Sequence, residues 1–201
     1  FLDIGANIGA QTLQLSECFK KATIHSFEPT TFGFQKIKKN ISLNPKLSSR
    51  IILNQAFLSS KKNKLPRKVY ASWNLKDPSK KHKKHFGIFK KTTNCSLLKL
   101  DDYLIKNKIK KVDFIKLDVD GYELEVLRSG YNFLKKKKVP IIFEVAPYLY
   151  SEYGYTHFEL VNLFKKLKYN FYNIYNLNKI KDINSFILNI QDGSSKTLLA
   201  K

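Results

Sequence analysis

Apolar and polar positions alternate along this chain in blocks that predict strands and helices in turn. Phe1, Leu2 and Ile4 form a short apolar run, interrupted by Asp3, that ends at the turn "GANIG". Such a run predicts a strand, a glycine turn and then a helix. Ile8, Leu13, Leu15 and Phe19 are the expected apolar face of that helix. "TIHSFE" at 23–28 predicts a second strand, stopped by Pro29. A second helix is expected from Thr31 to Leu43, with Phe34, Ile37 and Ile41 on one face and Pro45 ending it. "RIILNQAF" at 50–57 predicts strand three. This βαβαβ order favours a parallel sheet covered by helices.

Residues 59–94 break the rhythm. They are polar and lysine-rich, and they contain Pro66 and Pro78. "KVYASW" and "FGIFKKTT" suit a hairpin around a loop, either a lid or a solvated insertion within the domain. Order resumes with a short helix, "LDDYLIKN", from 100, and a fourth strand, "VDFIKLDV", at 112–119. "YELEVLRSG" predicts a helix closed by Gly130, "VPIIFEV" at 139–145 a fifth strand, and "THFELVNLFKKL" at 156–167 an amphipathic helix. "YNFYNIYNL" and "SFILNI" read as two closing antiparallel strands. Without internal repeats or a second core pattern, residues 1–201 are expected to form one domain.

Charge changes this picture less than its size suggests. The 37 Lys+Arg and 16 Asp+Glu leave a net charge of +21. A balance of that kind points to nucleic acid, anionic lipid or an acidic substrate. Only Arg50, Arg67 and Arg128 are arginines, however, and phosphate and base readers rely on the bidentate arginine fork. Runs such as "KKHKK" at 80–84 and "KKKK" at 135–138 are scattered, and Asn, Ile, Phe and Tyr are abundant beside them. All are residues of AT-rich codons, so genome composition competes with a functional basic face as the explanation. Cys18 and Cys95 lack metal-ligand spacing, so a reduced, cytoplasmic protein without a catalytic thiol is expected. No apolar run approaches the roughly 20 residues of a membrane span. The chain has no methionine and starts inside a strand, so it reads as an excerpt with its N-terminus missing.

The glycine turn suggests a nucleotide site. In the dinucleotide fingerprint, counted from Gly5, the second and third glycines would fall on Asn7 and Ala10, and neither fits. No G-x-x-x-x-G-K-[ST] phosphate loop is present. "LDIGANIGA", followed by "FEP", "NQAF", "LDDYL", "KLDVDGYELEVL" and "IIFEV", resembles the FkbM family of S-adenosylmethionine-dependent methyltransferases. The likeness runs from residue 1 to about 170, in family order. Asp120 departs from it, because glutamate is common there. The resemblance implies an α/β, Rossmann-like class I methyltransferase fold: a central, mostly parallel sheet with helices on both faces and antiparallel closing strands. It implies S-adenosylmethionine as cofactor and O-methylation of a saccharide or natural product.

Residue chemistry accords with a phosphate-free, cationic cofactor. Asp3 can favour the sulfonium or ammonium group, directly or through water. Gly5, Ala6, Asn7 and Gly9 form the loop that lets backbone approach, and amides at the start of the first helix suit a carboxylate. Glu28, at the end of strand two, is placed to accept from ribose hydroxyls. The resemblance puts the adenine edge at Asn54 and Ala56. Asp118, Glu144 and Asp120 are the candidate catalytic acids, and Asp118 is a candidate cofactor contact too. Asp3, Glu28, Asp118 and Glu144 all end predicted strands, so Lys116 or a metal is expected to offset their repulsion. Asp120 and Glu123 also have the spacing of a helix capping box.

No metal ligand set is assigned, and a divalent metal stays an open option. His82 and His85 suit a solvated loop, His25 a satisfied core position, and His157 opens a helix that could reach the site's mouth. Trp73, Tyr148, Tyr150 and Tyr153 could stack on sugar faces or simply pack. "DVDGYE" lacks the prolines and aromatic that follow strand four in amine-methylating enzymes of nucleobases, which favours an oxygen acceptor. The expected partner is a small molecule or glycan rather than nucleic acid. Peripheral membrane contact and a homo-oligomer stay open. The rival readings are an RNA methyltransferase, supported by charge alone, and a non-catalytic binding module.

Overall fold

The computed structural model describes residues 1–61, 65–71, 81–84 and 86–201. Contacts divide the chain into two compact units. The first comprises Phe1–Phe57 and Lys62–Leu97, and the second Leu58–Lys61 and Leu98–Lys201.

The first unit opens with β1 (Leu2–Ile4), α1 (Ala10–Cys18), β2 (Ile24–Phe27), α2 (Thr31–Ser42), the short α3 (Pro45–Ser48) and β3 (Ile51–Asn54). β1 lies parallel to β2 and β2 to β3, with Leu2 opposite His25 and Ile24 opposite Ile51. Every residue of β1 and β2 is buried, as expected of parallel strands covered on both faces. α2 begins as the sequence suggests, and Thr30 caps it by accepting from the Gly33 amide at 3.0 Å.

α1 differs from expectation. Its buried residues are Thr12 and Ser16, whereas Ile8 and Phe19 are 43% and 49% exposed. The reason is Asp3, which has no exposed surface. A buried carboxylate requires donors, and the Thr12 hydroxyl donates to its Oδ2 at 2.5 Å. Ser16 donates to the Leu47 carbonyl at 3.2 Å. The inward face is thus built from hydroxyls one turn apart.

The strand expected over 50–57 is interrupted after Asn54. β4 (Ala56–Leu58) leaves β3 and forms a separate two-stranded ribbon with β7 (Ser96–Leu98). Between them, β5 (Lys68–Ala71) and β6 (Ile88–Lys91) pair antiparallel, with Tyr70 stacked on Phe89 at 4.0 Å. Trp73, Asp77 and His85 lie outside the described residues. His82 is described, and its Nδ1 accepts from the Lys84 amide. His25 is buried in β2, where burial lowers its pKa. Cys18 and Cys95 are free thiols, and burial pushes Cys95 up to about 12, against nucleophilic use.

The second unit contains α4 (Leu100–Lys106), β8 (Ile115–Leu117), α5 (Glu123–Ser129) and α6 (Tyr131–Lys137). They are followed by β9 (Ile141–Val145), α7 (Pro147–Tyr150), α8 (His157–Lys166), β10 (Phe171–Asn173), α9 (Ile183–Leu188) and β11 (Lys196–Ala200). β8 and β9 are parallel, while β11 runs antiparallel to both β9 and β10. Thr156 and Glu159 form a reciprocal capping box at the start of α8. "SFILNI" is largely helical rather than a strand. The Asp182 side chain caps it by accepting from the Ser185 amide at 3.0 Å, and Ile183 and Ile187 bury one face. The closing strand is instead "KTLLA" at 196–200. Among the described residues, no helix is long and apolar enough to cross a membrane.

Candidate active site

In the first unit, the turn after β1 and the end of β2 are locked together. The amides of Gly5 and Ala6 both donate to the Phe27 carbonyl, at 3.0 and 2.9 Å. The Asn7 amide donates to Glu28 Oε2 at 2.9 Å, and Asn7 holds a left-handed φ of 47°. Glu28 Oε1 accepts from the Thr30 amide at 2.9 Å and from the Thr30 hydroxyl. Glu28 is therefore a buried hub, 5% exposed, that fixes the glycine turn to the start of α2. Gly9, at φ 88°, faces Ile37, where an added Cβ would lie 2.4 Å from Cγ1. Asp3 has no exposed surface, and its Oδ2 accepts from the Thr12 hydroxyl of α1. The Asn54 side chain donates to the Ser26 and Ile52 carbonyls at 3.2 and 3.3 Å, and Ala56 is buried.

Gly33 leaves room for this hub. A Cβ there would sit 2.6 Å from Glu28 Oε1 and 2.9 Å from its Cγ. Three hydrogen bonds hold the carboxylate, so it cannot swing aside freely. Gly33→Ala should therefore displace Glu28 and loosen the turn, weakening ligand binding there more than global stability. Calorimetry with S-adenosylhomocysteine beside thermal unfolding separates the two effects.

In the second unit the register of β8 and β9 carries the acids. Leu117 pairs with Phe143, which brings the next residues, Asp118 and Glu144, side by side. One oxygen each from Asp118, Asp120 and Glu144 lie within 4.8 Å of one another. Lys116, nearly buried, places Nζ 3.4 Å from Asp118 Oδ2. The Ser195 hydroxyl donates to Glu144 Oε1 at 2.5 Å. Burial and then the Asp118 charge raise the Glu144 carboxyl above the usual carboxylate range, against the opposing pull of Ser195 and Lys116. Three acids in this geometry favour a shared proton or a nearby cation, and Lys116 is a cation the chain itself supplies.

The capping-box reading of Asp120 does not hold. α5 starts at Glu123, and Asp120 sits before it at a left-handed φ of 48°. Glu123 folds back to accept from the Val119 and Gly121 amides at 3.4 and 3.3 Å. Glu123 is 2% exposed, and burial pushes it up to about 8. A folded-state pKa above the unfolded value means that the folded chain binds the extra proton. Its stabilising effect is thus full below about pH 4.5 and lost as pH rises through about 8. Urea unfolding between pH 5 and 8 should show stability falling by up to about 1.4 kcal/mol per pH unit from this group. Glu123→Gln should flatten that part of the slope.

Of the other aromatics, Tyr150 is core, 1% exposed, with its hydroxyl accepting from the Ala146 amide. Tyr153 packs on Tyr122 at 4.2 Å. Sequence reading missed Thr12, Thr30 and Ser195. Thr12 and Ser16 carry an i, i+4 hydroxyl spacing, and Thr30 a helix N-cap pattern. Ser195 had no local signal, because the β9–β11 pairing alone delivers it to Glu144.

A parallel sheet, a tight glycine turn braced by an acid at the next strand's end, and acids after later strands define a Rossmann-like methyltransferase fold. The chain overlays on two solved methyltransferases of that class. One is FkbM from Methylobacillus flagellatus KT: TM-score 0.56, 16% identity, 99% of this chain and 42% of the other. The second is precorrin-6y C5,15-methyltransferase from Geobacter metallireducens GS-15: TM-score 0.52, 11% identity, all of this chain and 77% of the other. Residues 3–171 match the methyltransferase FkbM domain family, and the chain belongs to that family. Methyltransferase sdnD of Sordaria araneosa is 29% identical over 154 residues, which is 64% of this chain. The match spans 59% of that relative's length.

Proposed function

We propose that this chain is the catalytic part of an S-adenosylmethionine-dependent O-methyltransferase acting on a hydroxyl of a saccharide or natural product. The observation that carries the reading is the Asp118–Glu144 pair, side by side at the ends of neighbouring strands, with the Glu144 carboxyl raised by burial and by the Asp118 charge beside Lys116. A hydroxyl is a weak nucleophile, so a positioned carboxylate base assists it.

The first unit fits the cofactor by its chemistry. Glu28 puts a carboxylate at the centre of the glycine turn, where a pyrophosphate would be repelled and a phosphate-free adenosine compound would not. When bound, S-adenosylmethionine supplies a methyl on a sulfonium, its carbon–sulfur electron pair passing to sulfur as the acceptor oxygen forms the new bond. Glu28 and Asn7 shape the turn that grips it, and the first turn of α1 offers amides without intrahelical acceptors. Asn54 and Ala56 border the adenine position in this reading. Asp118 orients the acceptor hydroxyl, and the Asp118–Glu144 pair takes its proton. Lys116 offsets part of the pair's negative charge, and Asp120 steadies the acceptor's approach.

The test supplies methyl-labelled S-adenosylmethionine with panels of hydroxylated acceptors and analyses the products by mass spectrometry. Label in base-stable methyl ethers supports the proposal. Label confined to nitrogen, or cofactor binding without transfer to any hydroxyl, defeats it.

A further inference from the structure

The second unit also holds a pocket of about 250 Å³ beneath α9 and the turn that follows it. Ile187 and Leu188 give it an apolar side, and Gln191 and Asp192 a polar rim. Tyr148 and His157 complete the lining. His157 Nε2 is buried and has no hydrogen-bond partner among the described residues. A buried polar atom left unsatisfied is costly, so a partner arriving from outside would gain by meeting it. Burial lowers the His157 pKa, so near neutrality the ring is uncharged and can donate or accept.

Tyr148 connects this pocket to the acids. Burial, then the charges of Glu144, Asp120 and Glu152, push its phenol up to about 12. It therefore stays protonated and stands in the field of Glu144 and Asp120, two of the carboxylates assigned above to the acceptor. We propose that the pocket between Tyr148, His157 and α9 is a subsite for one neutral, polyhydroxylated ring of the acceptor. This assignment rests on the O-methyltransferase reading and narrows its acceptor.

Three observations choose that ligand. The volume falls below the roughly 300–1,000 Å³ of pockets that enclose drug-sized ligands, so it suits a single ring rather than an extended chain. A saccharide ring presents C–H groups to Ile187 and Leu188 and hydroxyls to His157, Gln191 and Asp192. The carboxylates of Asp192, Glu152 and Glu144 disfavour an anionic ring, despite the chain's positive net charge.

The experiment uses the full chain and the methyl pyranosides of glucose, galactose, mannose and rhamnose as probes, with glucuronate as the charged control. Histidine side-chain NMR follows His157, and calorimetry with S-adenosylmethionine runs on the same samples. At least one neutral pyranoside should shift the His157 signals saturably. His157→Ala and Gln191→Leu should each weaken that binding by roughly 3–10-fold and leave cofactor affinity unchanged. Saturable binding that both variants leave intact overturns the assignment, as does glucuronate binding equal to the neutral rings, or no shift with any pyranoside. If methyl transfer to hydroxyls persists while these signatures are missing, the subsite fails and the O-methyltransferase reading stands. If the rings bind the pocket but cofactor binding or transfer is absent, that broader reading fails instead.

Discussion

Asp118→Asn should lower turnover by roughly 10²–10⁴-fold, the range contributed by a positioned acid or base, and leave cofactor affinity nearly unchanged. The asparagine keeps size and hydrogen bonding but removes the charge beside Lys116 and Glu144. Without that charge Glu144 loses a main cause of its raised pKa. The acid limb of the pH–rate profile should therefore move to lower pH while its plateau drops. In the intact pair, activity should rise as pH climbs through the raised carboxyl, because only the ionised pair accepts a proton. Single-turnover rates over a pH series, paired with calorimetric cofactor affinities, provide the check. Equal loss of rate and affinity would make Asp118 a binding or folding residue.

Glu28→Ala should weaken binding of S-adenosylhomocysteine by about 1.5–3 kcal/mol, as expected on removing hydrogen bonds to a charged group. The structure gives this prediction a second half. Loss of the carboxylate strands the Asn7 and Thr30 amides, so the turn should loosen and thermal stability should fall as well. Glu28→Gln separates the two roles. Its amide keeps one oxygen acceptor but presents N–H to a position where a backbone N–H already points. Binding should suffer more than folding in that variant. Unchanged affinity in both variants, measured by calorimetry beside thermal unfolding, would remove Glu28 from the cofactor site.

The chain's local patterns anticipate the candidate residues of the two units in different ways. The glycine turn, the "FEP" end of β2 and the "DVDGYE" turn are local, because backbone conformation and strand ends are written in neighbouring residues. Glu28 stood out as a candidate acid for that reason. The hydrogen bonds it accepts from Asn7 and Thr30 did not, because they join two separate turns. Spacing misleads about caps in both directions: Thr156 and Glu159 form a capping box that went unread in the sequence, whereas Asp120 and Glu123, at the same spacing, fold another way. There Glu123 meets the Val119 and Gly121 amides and a buried setting, which spacing alone does not encode.

By itself, the sequence determined the α/β alternation, the family and the small set of acids worth testing, because period, punctuation and short motifs are short-range properties. Tertiary structure alone decided that Asp3 is enclosed and served by Thr12, so that α1 turns hydroxyls rather than leucines inward. It also decided that "KTLLA" rather than "SFILNI" closes the sheet beside β9, and so that Ser195 reaches Glu144. Strand pairing and burial join residues far apart in the chain, and the charge state of a carboxyl follows from those distant neighbours rather than from its own stretch of sequence.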